Sequence, residues 1–142
     1  MKIIIASDHA GEIVKKQILK IFEKNKQEYE DESPRNTKTD DYPDFAKKVS
    51  KKITPKTKGI LVCGTGIGMS IAANKHKGIR AALCKNERDA ELARKHNDAN
   101  ILVLSGKTKK TDLEKIIKKF TKTKFEKGRH LRRVNKIKKE EK

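Results

Sequence analysis

Two cysteines, four histidines and a glycine-rich stretch carry most of the reactive chemistry available to this 142-residue chain. The segment Cys63-Gly64-Thr65-Gly66-Ile67-Gly68 sets a thiol directly before three glycines and the start of a helical pattern. Glycines let backbone amides converge on an anion, and a helix N-terminus adds partial positive charge. The same field favours a thiolate. An anion cradle beside a sulfur suits a reaction in which negative charge develops on a substrate oxygen. The segment is neither G-x-G-x-x-G nor a P-loop, and alone it leaves open a structural turn with a buried cysteine.

Three further clusters could do chemistry. Ser7-Asp8-His9-Ala10-Gly11 offers an Asp-His pair for sugar hydroxyls or a phosphate, or else a helix start capped by Asp8 or Ser7. His96-Asn97-Asp98 closes a helical pattern, where a histidine can simply complement the helix dipole. No paired histidine or carboxylate spacing accompanies it, which argues against a metal. In Gly128-Arg129-His130-Leu131-Arg132-Arg133, Arg129 and Arg133 are four apart and share a helix face. Two guanidiniums so placed can hold a phosphate by bidentate contacts. Three of the seven arginines lie here, against a lysine-rich background, and a solvated basic face is the alternative reading.

The elements that must position these residues follow from periodicity. Lys2 to Ala6 is a buried-strand run, and Gly11 to Lys26 carries Ile13, Val14, Ile18, Leu19 and Phe22 at helical spacing. A weak strand around Glu28 to Asp31 leads into a polar loop, and Pro43 sits where a helix can begin. Gly59 to Cys63 is the clearest strand, followed by a small-residue helix from Met69 to Lys75. Arg80 to Cys84 reads as a strand, Asn86 to Asn97 as a helix and Ala99 to Ser105 as a fifth strand. Thr111 opens another helix, and a last helical stretch runs from Arg129. Such alternation predicts a parallel sheet covered by helices on both faces, with ligands at the carboxyl ends of the strands. Asp8, His9, Cys63 to Gly68 and Ser105 to Lys107 all fall there.

The totals fit one domain over 1–142, with a helical extension from about residue 128. A net charge of +18 raises the question of a nucleic-acid partner. The lysines are spread over most helical segments, and aromatics at 4% are too few for a stacking platform. Two cysteines make no disulfide framework, and no apolar stretch approaches membrane-spanning length. With no signal peptide visible, a cytoplasmic protein is expected.

Together the clusters resemble the ribose-5-phosphate isomerase B family, which also takes in the galactose-6-phosphate isomerase subunits. The matching stretches are Ser7 to Gly11, Asp41-Tyr42-Pro43, Gly59 to Lys75, Gly78 to Ala82, His96 to Asn100, and Gly128-Arg129-His130 with Arg133. They run in order over nearly the whole chain. The resemblance implies an α/β fold, a three-layer αβα sandwich on a five-stranded parallel, Rossmann-like sheet. It implies a cofactor-free, metal-free aldose-ketose isomerase that interconverts ribose 5-phosphate and ribulose 5-phosphate through a cis-enediolate. By that resemblance Cys63 moves the proton between C2 and C1, and Thr65 with the amides of Gly64, Gly66 and Gly68 stabilises the enediolate. His96 opens the furanose ring, Asn97 contacts the reacting oxygens, and Asp8 and Tyr42 hold sugar hydroxyls. His9, Arg129 and Arg133 bind the phosphate. The family's sites lie between subunits, so a homodimer, or a tetramer of two, is implied.

Two departures stand out. Ser33 occupies a position where the family often has glycine, and Lys107 one where it often has arginine, which makes Lys107 a phosphate contact without the bidentate fork. Two alternatives remain open: a hexose 6-phosphate substrate (galactose or allose), or a basic nucleic-acid-binding protein on the same fold.

Overall fold

The segment KIIIAS is apolar on both of its faces and becomes strand β1, Lys2–Ser7, with Ile3, Ile4, Ile5 and Ala6 at most 2% exposed. The runs TKGILVC and ILVLS behave alike, forming β3 (Thr57–Cys63) and β5 (Ile101–Ser105). Burial on both faces is the signature of a central parallel strand. The edge strands β2 (Tyr29–Asp31) and β4 (Ala81–Leu83) are three residues each and only half buried. The sheet is wholly parallel, in the order β2-β1-β3-β5-β4. These assignments come from a computed structural model that describes residues 1–142.

Successive strand side chains point to opposite faces, and each face has its own core. Ile3, Ile5, Ile60, Val62, Leu102 and Leu104 meet helices α1 (Glu12–Lys24), α4 (Glu87–Asn97) and α5 (Lys110–Lys122). Ile4, Ala6, Leu61, Cys63 and Val103 meet α2 (Tyr42–Ser50) and α3 (Ile67–Asn74). The result is the αβα sandwich. A last helix, α6 (Arg129–Lys139), rests on α4 with His130 and Val134 turned inward. No helix is long and apolar enough to cross a membrane.

Several boundaries differ from the sequence reading. The helix after the glycine turn begins at Ile67 rather than Met69, because Gly66 at φ 80° turns the chain into it. The last strand begins at Ile101, since Asp98 caps α4 in the left-handed region at φ 47° and residues 98–100 form a turn. In that turn the Asn100 side chain accepts the Arg80 amide at 2.8 Å, so Arg80 stays outside β4.

Candidate active site

Three turns at the carboxyl ends of β1, β3 and β5 are tied into one platform. The amide of Asp8 donates to the Val62 carbonyl at 3.2 Å, and that of Gly106 to the Cys63 carbonyl at 2.7 Å. The Ser105 hydroxyl donates to the Gly64 carbonyl at 2.8 Å. The contacts leave no room for side chains: a Cβ at Gly106 would lie 2.4 Å from the Ala10 carbonyl oxygen.

Cys63, the last residue of β3, is only 4% exposed. One side of it joins the core below α2 and α3, and its Sγ accepts the Gly66 amide at 3.2 Å. The sulfur therefore lies under the glycine turn, at the N-terminus of α3. Thr65, on the crest of the turn, is exposed, and its Oγ1 accepts the Ile67 amide at 3.2 Å. The amides of Gly68 and Met69 belong to the first turn of α3 and have no earlier turn to bond. Tyr42, at the start of α2, leans over Gly68 so closely that a Cβ there would be 2.5 Å from its ring. Lys107 is exposed on the neighbouring turn after β5.

Asp8 caps the short 3-10 turn His9–Gly11, accepting the Gly11 amide at 3.0 Å. Burial pushes its carboxyl above the usual range, against the pull of that hydrogen bond. His9 is exposed, and its Nδ1 lies 2.6 Å from Asp40 Oδ1. Asp40 sits in a polar loop without periodicity, where the sequence carries no signal for it. Ser33, at the position of departure, has a definite task. Its hydroxyl accepts the Ser7 amide at 2.8 Å, and its carbonyl and hydroxyl both accept from the buried Lys15, which pairs with Asp31.

The remaining predicted residues lie at the other end of the sheet. His96 and Asn97 close α4, which leads into the amino end of β5. There the Asn100 carbonyl accepts the Gly59 amide at 2.9 Å. Cys63 is four residues further along β3, about 13 Å away in the strand direction. Within one chain His96 and Cys63 do not meet.

At this amino end the His96 ring stacks on that of His130, with centroids 4.2 Å apart and planes 11° apart. His130 is 5% exposed and its Nε2 has no hydrogen-bond partner. Arg129 and Arg133 flank it on the exposed face of α6. Arg80 and Arg94 brace the turn from behind: Arg80 binds the carbonyls of Asn97 and Asp98, and Arg94 binds the Asp98 carboxylate at 3.0 Å. With Glu126, the two histidines gather three ligand-type atoms within 4.8 Å of one another, which the sequence spacing did not show. Their rings are parallel, so the in-plane lone pairs run side by side instead of converging as a metal requires.

The molecule thus carries two candidate half-sites, a sulfur-and-amide platform and a histidine-and-arginine face. Each is bordered by exposed apolar side chains: Ile67 and Ile71 on α3 beside the first, Leu131 and Ile137 on α6 beside the second.

Comparison with known proteins identifies the family. The family model for ribose/galactose isomerases matches residues 3–137. A Mycoplasma genitalium protein named as a probable ribose-5-phosphate isomerase B is 47% identical over 141 residues, covering 95% of this chain and 92% of that protein. A Rickettsia conorii protein, named provisionally as a sugar phosphate isomerase, is 51% identical over 139 residues, or 96% of each chain. Among solved structures, the Thermotoga maritima ribose 5-phosphate isomerase superposes with a TM-score of 0.93 at 47% identity, covering 97% of both chains. The Mycoplasma genitalium enzyme with bound ribulose-5-phosphate gives a TM-score of 0.91 at 44% identity, over 97% of this chain and 94% of that one. On its sequence, its five-stranded parallel sheet and its ordered motifs, the chain belongs to the ribose/galactose isomerase family.

Proposed function

We propose that the protein is an aldose-ketose isomerase acting on ribose 5-phosphate and ribulose 5-phosphate, with Cys63 as the base. The observation that carries this reading is the Cys63 sulfur under the Gly66 amide at the head of α3, in a chain of this family. A thiolate there removes the C2 proton of the open-chain aldose. The C–H electron pair becomes the C1–C2 double bond, and the carbonyl oxygen takes up the negative charge. That charge falls on the glycine-turn amides and the Thr65 hydroxyl. Return of the proton from sulfur to C1, with a proton shift from the C2 oxygen to the C1 oxygen, gives the ketose.

His96 opens the ring, a task for a group that titrates near neutrality, and Asn97 contacts the reacting oxygens. Asp8 and Tyr42 hold hydroxyls. His9, Lys107, Arg129 and Arg133 hold the phosphate away from the reacting carbons and so fix orientation. These groups can act on one sugar only if two copies bring opposite sheet ends together, so the working unit is a homodimer. The exposed Ile67, Ile71, Leu131 and Ile137 beside the half-sites support that assembly. We read the 142 residues as one isomerase domain with α6 as its extension, working in the cytoplasm with its sugar phosphate.

The test is turnover of ribose 5-phosphate, galactose 6-phosphate and allose 6-phosphate by purified protein and by Cys63→Ala. The reading requires the pentose phosphate to be converted fastest and the variant to be nearly inert. Faster turnover of a hexose phosphate moves the substrate, and substantial activity without the thiol removes the base.

A further inference from the structure

The polar corner beneath His9 is more elaborate than a surface histidine needs. Asp40 accepts four hydrogen bonds: on Oδ1 from the His9 amide at 2.9 Å and from His9 Nδ1 at 2.6 Å, and on Oδ2 from Asn36 Nδ2 at 2.9 Å and the Thr37 amide at 3.1 Å. Asn36 also donates to the Ser7 carbonyl at 2.8 Å, which fastens the loop to the end of β1. The carboxylate is 11% exposed, whereas the ring that it holds is 45% exposed. One largely shielded anion, fixed from both sides, therefore presents one accessible imidazole.

We propose that Asp40 is the positioning residue for anion binding at His9: it takes Nδ1, fixes the ring plane, and leaves the Nε2 N–H as the donor to the substrate's phosphate. The proposal rests on His9 being a phosphate contact, as read above. Geometry carries it, because a ring anchored through both its backbone amide and Nδ1 has one nitrogen left for a ligand.

Charge supports the same arrangement. The hydrogen bond to Asp40 is the chief cause that raises the His9 pKa, with Asp8 adding attraction from the same turn. Asp40 itself stays ionised: burial would raise its carboxyl, but bonds from Asn36, His9 and Thr37 hold it at about 2. In the assembled site, Arg129 and Arg133 of a second copy would face the ring and oppose its protonation. Because its pKa is raised, His9 keeps its proton, and its attraction for phosphate, to a higher pH than an ordinary imidazole, which loses it near ~6.5.

Asp40→Asn tests this. At pH 8 the KM for ribose 5-phosphate and the inhibition constant of inorganic phosphate should both rise about tenfold, the weight of one charge-assisted hydrogen bond to the phosphate. The fall in kcat should be smaller than the rise in KM. At pH 6 the gap should close, because His9 is then protonated in both proteins. In the wild-type chain, an NMR titration should place the His9 midpoint above its ordinary value, and this measurement does not depend on how well the variant folds. An ordinary midpoint, or a variant whose KM follows the wild-type pH profile, overturns the role of Asp40. His9→Ala separates the two readings. If it leaves phosphate affinity unchanged, His9 is not the anion contact; if it weakens affinity while Asp40→Asn does not, only the Asp40 proposal fails.

Discussion

The imidazole of His96 lies parallel to that of His130, 4.2 Å from centroid to centroid. Burial, and then the neighbouring His96, Arg129 and Arg133, lower the His130 pKa, while Glu126 opposes them. The folded chain therefore prefers His130 neutral, and the unfolded chain takes up a proton first as the pH drops. The stability that follows is present above the unfolded pKa of ~6.5 and is lost as pH falls through the folded value. Between pH 7.5 and 5.5 the melting temperature of the wild-type protein should therefore change less favourably than that of His130→Gln. Thermal melts of the two proteins at both pH values decide it.

Separation of Cys63 from His96 makes a complementation experiment informative. Cys63→Ala and His96→Ala should each be inactive as pure proteins. Mixed, unfolded together and refolded, they should recover about a quarter of wild-type activity if the proposed dimer forms, since half of such pairs are mixed and one of their two sites is intact. No recovery would show that the two residues do not act across copies.

The two thiols should behave differently. Cys63→Ala should lower kcat by at least about 10³-fold, in the range for a lost proton-transfer group. Cys84 is 2% exposed, and burial pushes its thiol up to about 12. Cys84→Ala should keep near-normal kcat and cost about 1 kcal/mol, the value of one buried methylene-sized group. Steady-state kinetics and denaturant unfolding measure these effects.

The glycines of the platform should divide by what stands opposite them. Gly106→Ala meets the backbone of Ala10 and should cost about 1–3 kcal/mol, as overpacking does. Gly66→Ala adds a Cβ at φ 80°, 2.5 Å from Leu83 Cδ1, and should cost at least as much. Gly68→Ala meets first the movable end of Tyr42. It should unfold near the wild-type midpoint yet raise KM by displacing that ring. Denaturant titration together with kinetics separates the three.

Much of this was legible in the chain. Runs such as Gly59-Ile60-Leu61-Val62 can only be central strands, and the alternation with amphipathic helices leaves a parallel sheet as the simplest arrangement. The sulfur at the end of β3 followed directly. Partnerships across the fold did not. Asp40 lies 31 positions from His9 in a loop with no pattern, and its role depends on how that loop folds back over β1. His130 reads as one more basic-face residue until α6 is seen lying on α4. The helix boundary at Ile67 was hidden because its cap is a glycine backbone angle rather than a side chain.

Lys15 offers a use of another kind. In a chain so rich in lysine, its side chain is only 3% exposed, with the amine held by Asp31 and Ser33 near the strand end that leads to Asp8 and His9. An acetylating reagent should mark the surface amines at once and reach Lys15 only when that corner opens. The rate at which this one lysine is labelled then becomes a clock for the breathing of the corner that carries His9, readable by peptide mass without any substrate.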